Sequence, residues 1–421
     1  MQTSSCSWLN QKQAEQIAND FGTPTYVYSE KKIRENAAAC LAFPNAYGLT
    51  VRYAMKANPN SSILLLLQKL GIYFDASSAW EVRRAIHIGI EPTRISLSTQ
   101  ELPKDFASLV EQGVEINCCS LDQLERYAKA FPGSEVGIRL NPGKGSGLNN
   151  RLSTGGLAAS FGIWHEFIPQ INEIAQASRC KIVRIHTHVG TGGDPDVWFQ
   201  TATESLKSLD AFPHVHTVDL GGGFKIARMP HEKQSDLQVV GSAVKKAIEA
   251  VQARTGRKLH LEIEPGNFIA ANLGGILSEI QDETSTGKDG YSFLKLDTGM
   301  TEILRPSLYG AQHSFRVFQK ILSEETASYA IVGHCCESGD VLTVANGDSE
   351  TLAPRELPVC TIGDLIMIED AGAYCAAMPA KNYNSFPEAS EVMVLENGEI
   401  REVRKRQTLD QVIQNETPIK W

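Results

Sequence analysis

From residue 31 to about 285, short apolar runs alternate with amphipathic stretches. The runs at 50–55, 72–76, 95–98, 114–119, 135–141, 182–189, 217–220 and 259–264 are mostly apolar, as strands buried on both faces are. Between them, apolar residues recur at helical spacing in 62–70, 80–86, 121–131, 167–177, 200–212 and 242–255. Ser77-Ser78 offers an N-cap ahead of the second of these. Strands and helices alternating in this way predict an α/β fold, a (β/α)8 TIM barrel, although an open doubly wound sheet has the same periodicity. Past 285 the helical spacing fades. Runs at 292–297, 315–322, 329–333, 352–361 and 365–369 read as strands, with a hairpin of 392–395 and 399–403 turning on Asn397-Gly398. Thr25-Tyr26-Val27-Tyr28 reads as one more strand of the same kind. The expected organisation is a barrel over 31–285 and a mainly β domain built from 1–30 and 286–421. The Gly- and Asn-rich stretch 143–150 is the expected mobile loop.

Composition narrows the class. With 42% hydrophobic and 21% charged residues, the chain can build a sizeable core unaided. A net charge of −9 and a pI of about 5.7 argue against a nucleic-acid or anionic-membrane surface. The 9 cysteines are odd in number and include no C-x-x-C, and Cys118-Cys119 and Cys335-Cys336 are sequence neighbours. That pattern suits neither a disulfide framework nor a metal clip. Apolar runs such as 63–67 are far short of a membrane span, and the first residues lack a basic or apolar leader. The expectation is a cytoplasmic protein with reduced thiols and no metal.

Candidate chemistry gathers at strand ends. Lys56 follows the run 50–55 directly and meets Ala57-Asn58-Pro59, where the proline halts regular structure. Such a lysine either snorkels to solvent or is held there for its amine. Active residues of a barrel lie at the carboxyl ends of its strands, with phosphate commonly held after the seventh and eighth. The seventh run leads into Gly221-Gly222-Gly223, whose backbone can approach an anion closely. The eighth ends at Glu264, before Pro265-Gly266-Asn267. His186 and His188 close the sixth, and strand alternation puts both on one face. An amine, an anion cradle, a carboxylate and a flat ring are the parts that pyridoxal 5′-phosphate uses. A dinucleotide reading of the glycines fails because the G-x-G-x-x-G spacing is missing.

The ordered set of segments resembles the fold-type III pyridoxal-phosphate-dependent decarboxylases, whose barrel is of the alanine-racemase type, and most closely the diaminopimelate decarboxylases. It comprises Tyr53-Ala-Met-Lys56-Ala-Asn58, His186-Thr-His188-Val-Gly-Thr191-Gly, Gly221-Gly-Gly223, Glu264-Pro-Gly266, Arg305-Pro-Ser-Leu-Tyr309-Gly, Cys336-Glu-Ser-Gly-Asp340 and Ala371-Gly-Ala-Tyr374. The resemblance implies that Lys56 carries the Schiff base, His188 stacks on the cofactor and Glu264 pairs with its ring nitrogen. Gly221, Gly222, Gly223 and Gly266 would hold phosphate, and Tyr374 would reach the cofactor. It further implies that Arg305 and Tyr309 bind the distal carboxylate and Glu337 the distal ammonium. Cys336 would be the acid that returns a proton to the α-carbon, and Cys336 and Glu337 would enter from the other subunit of a homodimer. The implied reaction is conversion of meso-2,6-diaminopimelate to L-lysine and CO2. Three departures stand out: Asn267 where the family usually has arginine, Ser160 before Phe161-Gly162, and the loop 192–198. The loss of an arginine at 267 keeps open a decarboxylase of ornithine, lysine or arginine. A racemase or a non-catalytic cofactor carrier shares the barrel, but a carrier has no use for Arg305, Cys336 and Tyr374.

Overall fold

The computed structural model describes residues 7–143, 155–188 and 195–421. Residues 144–150 of the expected mobile loop and 192–194 of the divergent one lie outside the described residues, as does Thr191. The chain divides into two units, one of residues 34–226 and 233–269, the other of 1–33, 227–232 and 270–421.

After β1 (Thr25–Ser29), which belongs to the second unit, come the strands of the first. They are β2 (Leu49–Ala54), β3 (Tyr73–Ala76), β4 (Ile95–Leu97), β5 (Glu115–Cys118), β6 (Glu135–Asn141), β7 (Ile163–Trp164), β8 (Lys181–His186), β9 (Thr217–Asp219) and β10 (His260–Ile263). All pair in parallel in the order β5-β4-β3-β2-β10-β9-β8-β6, and β5 also pairs with β6, which closes the ring; β7 extends β6. The closed barrel settles the choice against an open sheet. Helices such as Ser61–Lys69, Ala79–His87 and Leu237–Thr255 run between strands, and Ser78 Oγ caps the second by accepting the Glu81 N–H at 3.2 Å. Inside the ring, Arg52, Glu115, Arg184 and Glu262 form a charge cluster. Glu262 takes Arg52 at 2.8 and 3.0 Å and Arg184 at 3.1 Å, and Glu115 bonds both arginines.

The second unit is mainly β. β11 (Gly274–Ser285), β12 (Ser292–Leu296), β13 (Phe315–Phe318), β14 (Thr326–Val332), β15 (Val344–Ala345), β16 (Asp348–Leu352), β17 (Arg355–Pro358), β18 (Leu365–Ile368), β19 (Ser390–Val394) and β20 (Ile400–Arg404) follow one another. The main sheet runs β17-β14-β12-β11-β1-β19-β20, with β18 on β11 and β13 on β18. β1 therefore lies inside the sheet, antiparallel to β11 and parallel to β19. Leu9, Ile17, Val27, Leu277, Met367 and Val392 are fully buried in its core. The division falls earlier than the expected boundary at 285, because all of β11 pairs within this unit. The expected single strand 352–361 is split by Ala353-Pro354, since proline cannot donate to a ladder. Among the described residues, no helix is long and apolar enough to cross a membrane.

Candidate active site

β2 stops at Ala54, and Lys56 sits in the single turn Met55–Ala57 that follows. Asn58, before Pro59, is extended with φ −160 and ψ 106, and Asn60 Oδ1 caps the next helix by accepting from Ser62 N–H at 2.9 Å. The lysine side chain is thereby left at the strand's carboxyl end, 38% exposed, with Nζ 3.3 Å from Asp75 Oδ2. Asp75 is buried near the end of β3, and its Oδ1 has no partner among the described residues. Burial, then the nearby Glu264, push its carboxyl up to about 8 against the pull of Lys56.

His186 ends β8, while His188 lies two residues beyond it, so the strand is shorter than the expected 182–189. Both rings nevertheless meet Glu264, which follows β10: Oε2 is 3.4 Å from His186 Nε2 and 3.5 Å from His188 Nδ1. His188 Nδ1 accepts the Gly222 N–H at 3.0 Å and so cannot also donate to the carboxylate. His186 Nδ1 contacts Ser98 Oγ at 3.1 Å. Burial lowers both histidines, His188 to about 4, and leaves neutral rings at neutral pH. Burial also opposes charge on Glu264, but His186, first among its neighbours, outweighs it and holds the carboxyl well below its usual range. Glu264 Oε1 is buried and has no partner among the described residues. These three side chains have donor atoms within 4.8 Å of one another, a spacing that suits a metal ion. His188 Nδ1 is already committed to a backbone N–H, and the Lys56 ammonium borders the same cavity, so the arrangement is a poor cation site.

The glycines serve close approach. A Cβ on Gly221 would lie 2.5 Å from His188 Nδ1, and one on Gly222 would lie 2.4 Å from the Glu264 carbonyl oxygen. Gly221 has φ +65 and Gly223 +103, both in the region that favours glycine. The expected cradle of three free N–H groups is not laid out that way. Gly221 N–H donates to Asp219 Oδ1 at 2.9 Å, Gly222 N–H to His188, and Gly266 N–H to the Glu264 carbonyl at 2.8 Å. Asn267 is buried, and its amide donates to the Phe224 carbonyl at 3.5 Å.

A cavity of about 230 Å3 joins Lys56, Asp75, His186, His188 and Glu264. Ser98, Cys119, Arg139 and Phe161 line it too, with the Arg139 guanidinium 5.0 Å from the Phe161 ring centre. Sequence reading missed Asp75 and Arg139, although a charged residue inside an apolar run was a usable signal for each.

The remaining expected residues belong to the β unit. Cys336 and Glu337 lie on the exposed turn that follows β14. Cys336 N–H donates to Asn384 Oδ1 at 3.0 Å, and Glu337 Oε1 accepts from Gly339 N–H at 3.1 Å. Burial pushes the Cys335 thiol up to about 12. Asp340 pins the turn, taking Met300 N–H at 2.7 Å and Cys335 N–H at 2.9 Å. The turn borders a cleft of about 1210 Å3 within this unit. Arg305 begins the short helix Arg305–Tyr309, and its partner is His313 Nε2 at 2.9 Å, not an acidic neighbour. Tyr309 Oη lies 3.8 Å from Met378 Sδ, and Tyr374 takes φ +58.

The family model described as "Pyridoxal-dependent decarboxylase, pyridoxal binding domain" matches residues 31–271. The diaminopimelate decarboxylase of Escherichia coli K12 is 30% identical over 411 residues, 94% of each chain. That of Methanothermobacter thermautotrophicus is 31% identical over 416 residues, 96% of this chain and 94% of the relative. Among solved structures, a crystal structure of a diaminopimelate decarboxylase superposes with a TM-score of 0.89 at 29% identity, covering 98% of this chain and 97% of that one. The Helicobacter pylori diaminopimelate decarboxylase complexed with L-lysine superposes with a TM-score of 0.82 at 29% identity, covering 95% and 98%.

Proposed function

The chain belongs to the pyridoxal-dependent decarboxylase family, and on that premise we propose that it converts meso-2,6-diaminopimelate to L-lysine and CO2 with pyridoxal 5′-phosphate. The observation that carries this reading is the buried, partnerless Glu264 Oε1 in the cavity that also holds Lys56. An ionised acceptor without a donor is costly unless a cationic N–H arrives to meet it. A protonated pyridine nitrogen is such a donor, so the residues present fit the cofactor. Lys56 would hold its aldehyde carbon, His188 would lie against the ring, and Gly223 with the 265–267 turn would flank the phosphate.

Pyridoxal phosphate supplies a sink for the electron pair left when the α-carboxyl group departs. The chain supplies the rest. Glu264 keeps a proton on the ring nitrogen by favouring its charged form. Asp75 draws the Lys56 amine to one side of the cavity, and Arg139 adds positive charge to its wall. By the family resemblance Tyr374 would contact the cofactor, Arg305 and Tyr309 would hold the distal carboxylate, and Glu337 would hold the distal ammonium. Cys336 Sγ delivers a proton to the α-carbon, entering from a second copy of the chain in a homodimer of the cytoplasm. The test is CO2 release from meso-diaminopimelate by protein loaded with cofactor, beside borohydride reduction and peptide mapping. Release of CO2 with the label on Lys56 supports the reading. A label elsewhere, or CO2 from ornithine, lysine or arginine in preference, overturns it.

A further inference from the structure

Ser98 stands one residue past β4, and Asn117 lies in β5, the strand paired with it in the ring. Both side chains are buried, and Ser98 borders the cavity that holds Lys56 and Glu264. Asn117 Nδ2 donates to Ser98 Oγ at 3.0 Å, and Ser98 Oγ lies 3.1 Å from His186 Nδ1. On the other side of the imidazole, Nε2 is buried and 3.4 Å from Glu264 Oε2, a charge contact without a formed hydrogen bond. Burial keeps the His186 ring neutral, so it carries one proton, and its neighbours decide which nitrogen has it. An amide N–H can only donate, so Ser98 Oγ accepts from Asn117 and has its own proton to place. His186 Nδ1 is the acceptor within reach. A proton on Nδ1 would instead set a bare Nε2 lone pair against the Glu264 carboxylate. With the proton on Nε2, each contact in the line joins a donor to an acceptor. Of the two rings beside Oε2, only His186 can turn a proton toward it, because His188 Nδ1 already accepts the Gly222 N–H. Asn117 itself is held at a cost. A Cβ on Gly137, its partner in register on β6, would lie 2.1 Å from Asn117 Oδ1, and that oxygen is buried with no partner among the described residues. An apolar side chain would not carry that cost; what the amide adds is its N–H to Ser98.

We propose that Ser98, oriented by Asn117, is a positioning residue that fixes the proton of His186 on Nε2, where it holds Glu264 Oε2 and leaves Oε1 to meet a cationic N–H. The inference rests on the reading of Glu264 as partner of the cofactor's ring nitrogen. A donor at Oε2 favours the charged carboxylate, and a charged carboxylate is what keeps that nitrogen protonated. Ser98 acts through His186 and touches no reacting atom.

Neutron diffraction from crystals of wild-type holoenzyme in D2O reads the proton directly and needs no variant. Deuterium is expected on His186 Nε2 and not on Nδ1; deuterium on Nδ1, alone or with Nε2, overturns the proposal. Cofactor titrations read the consequence. Wild type, Ser98→Ala and Ser98→Thr, stripped of cofactor, are titrated with pyridoxal 5′-phosphate and with its analogue in which carbon replaces the ring nitrogen. Ser98→Ala is expected to weaken pyridoxal phosphate about tenfold and the analogue less than about twofold. Ser98→Thr keeps the hydroxyl and should stay within about threefold of wild type on both. Equal weakening of both ligands by Ser98→Ala, or of neither, overturns the role and marks Ser98 as structural. A wild type that binds cofactor and analogue with equal affinity overturns the underlying reading of Glu264 instead.

Discussion

At Glu264 a single carboxylate faces two ways: one oxygen meets two neutral imidazoles, and the other meets no donor among the described residues. Glu264→Gln keeps the shape and loses the charge that holds a proton on the ring nitrogen. Turnover should fall on the order of a hundredfold or more, while borohydride still tags Lys56. Asp75 carries a second prediction. Its folded-state pKa is raised, so folded protein keeps a proton that the unfolded chain releases between about pH 4 and about 8. Its contribution to stability is full below that window and is lost as pH rises through it. Thermal melts of cofactor-free protein should show wild type losing ground to Asp75→Asn from pH 5 to 8. Lys56, His188 and Glu264 were legible in the sequence because each is a reactive type at a strand end, placed in order. Asp75 was read past: it lies inside an apolar run, and the groups that act on it come from 56 and 264.

Strands and turns set these residues in place, and two of those elements can be loosened separately. The turn bearing Cys336 and Glu337 is held by Asp340, and a Cβ on Gly299 or Gly333 would press to 2.3 or 2.2 Å from that carboxylate. Asp340→Asn exchanges one accepting oxygen for a donor. The turn should loosen, lowering kcat about tenfold and changing the alkylation rate of Cys336 in the same protein. In the barrel, Glu262→Gln leaves the buried Arg52 and Arg184 with only the part-exposed Glu115 as a shared counter-charge. Loss of one partner from such a cluster costs about 3–5 kcal/mol, read as a lower denaturation midpoint at unchanged slope. Parallel strands were readable as apolar runs, whereas the acids and arginines inside them were read past. Within the triple glycine, the first two N–H groups are spent on Asp219 and His188, which leaves Gly223 as the one of the three to set beside a phosphate.

Over the whole molecule, the proposed homodimer makes a prediction that no isolated residue does. If Cys336 of one copy serves Lys56 of the other, chains carrying Lys56→Ala and Cys336→Ala are each inactive alone. Mixed and reassembled, they should regain turnover that neither shows by itself; continued inactivity would place both residues in one chain's site. The barrel was legible because its strands alternate with helices over local stretches. The extent of the β unit was less so, because β11, β1 and β19 find one another across hundreds of residues and leave no local mark. That long-range pairing has a consequence for synthesis. β1 is made well before its neighbour at Ser390–Val394, which leaves the ribosome only after another 365 residues. At typical translation rates that is a wait of roughly 20 to 70 s, during which an apolar strand keeps at least one edge bare even after β11 has been made. Nascent chains of this protein should therefore lean on chaperones at their amino end until the last hairpin emerges.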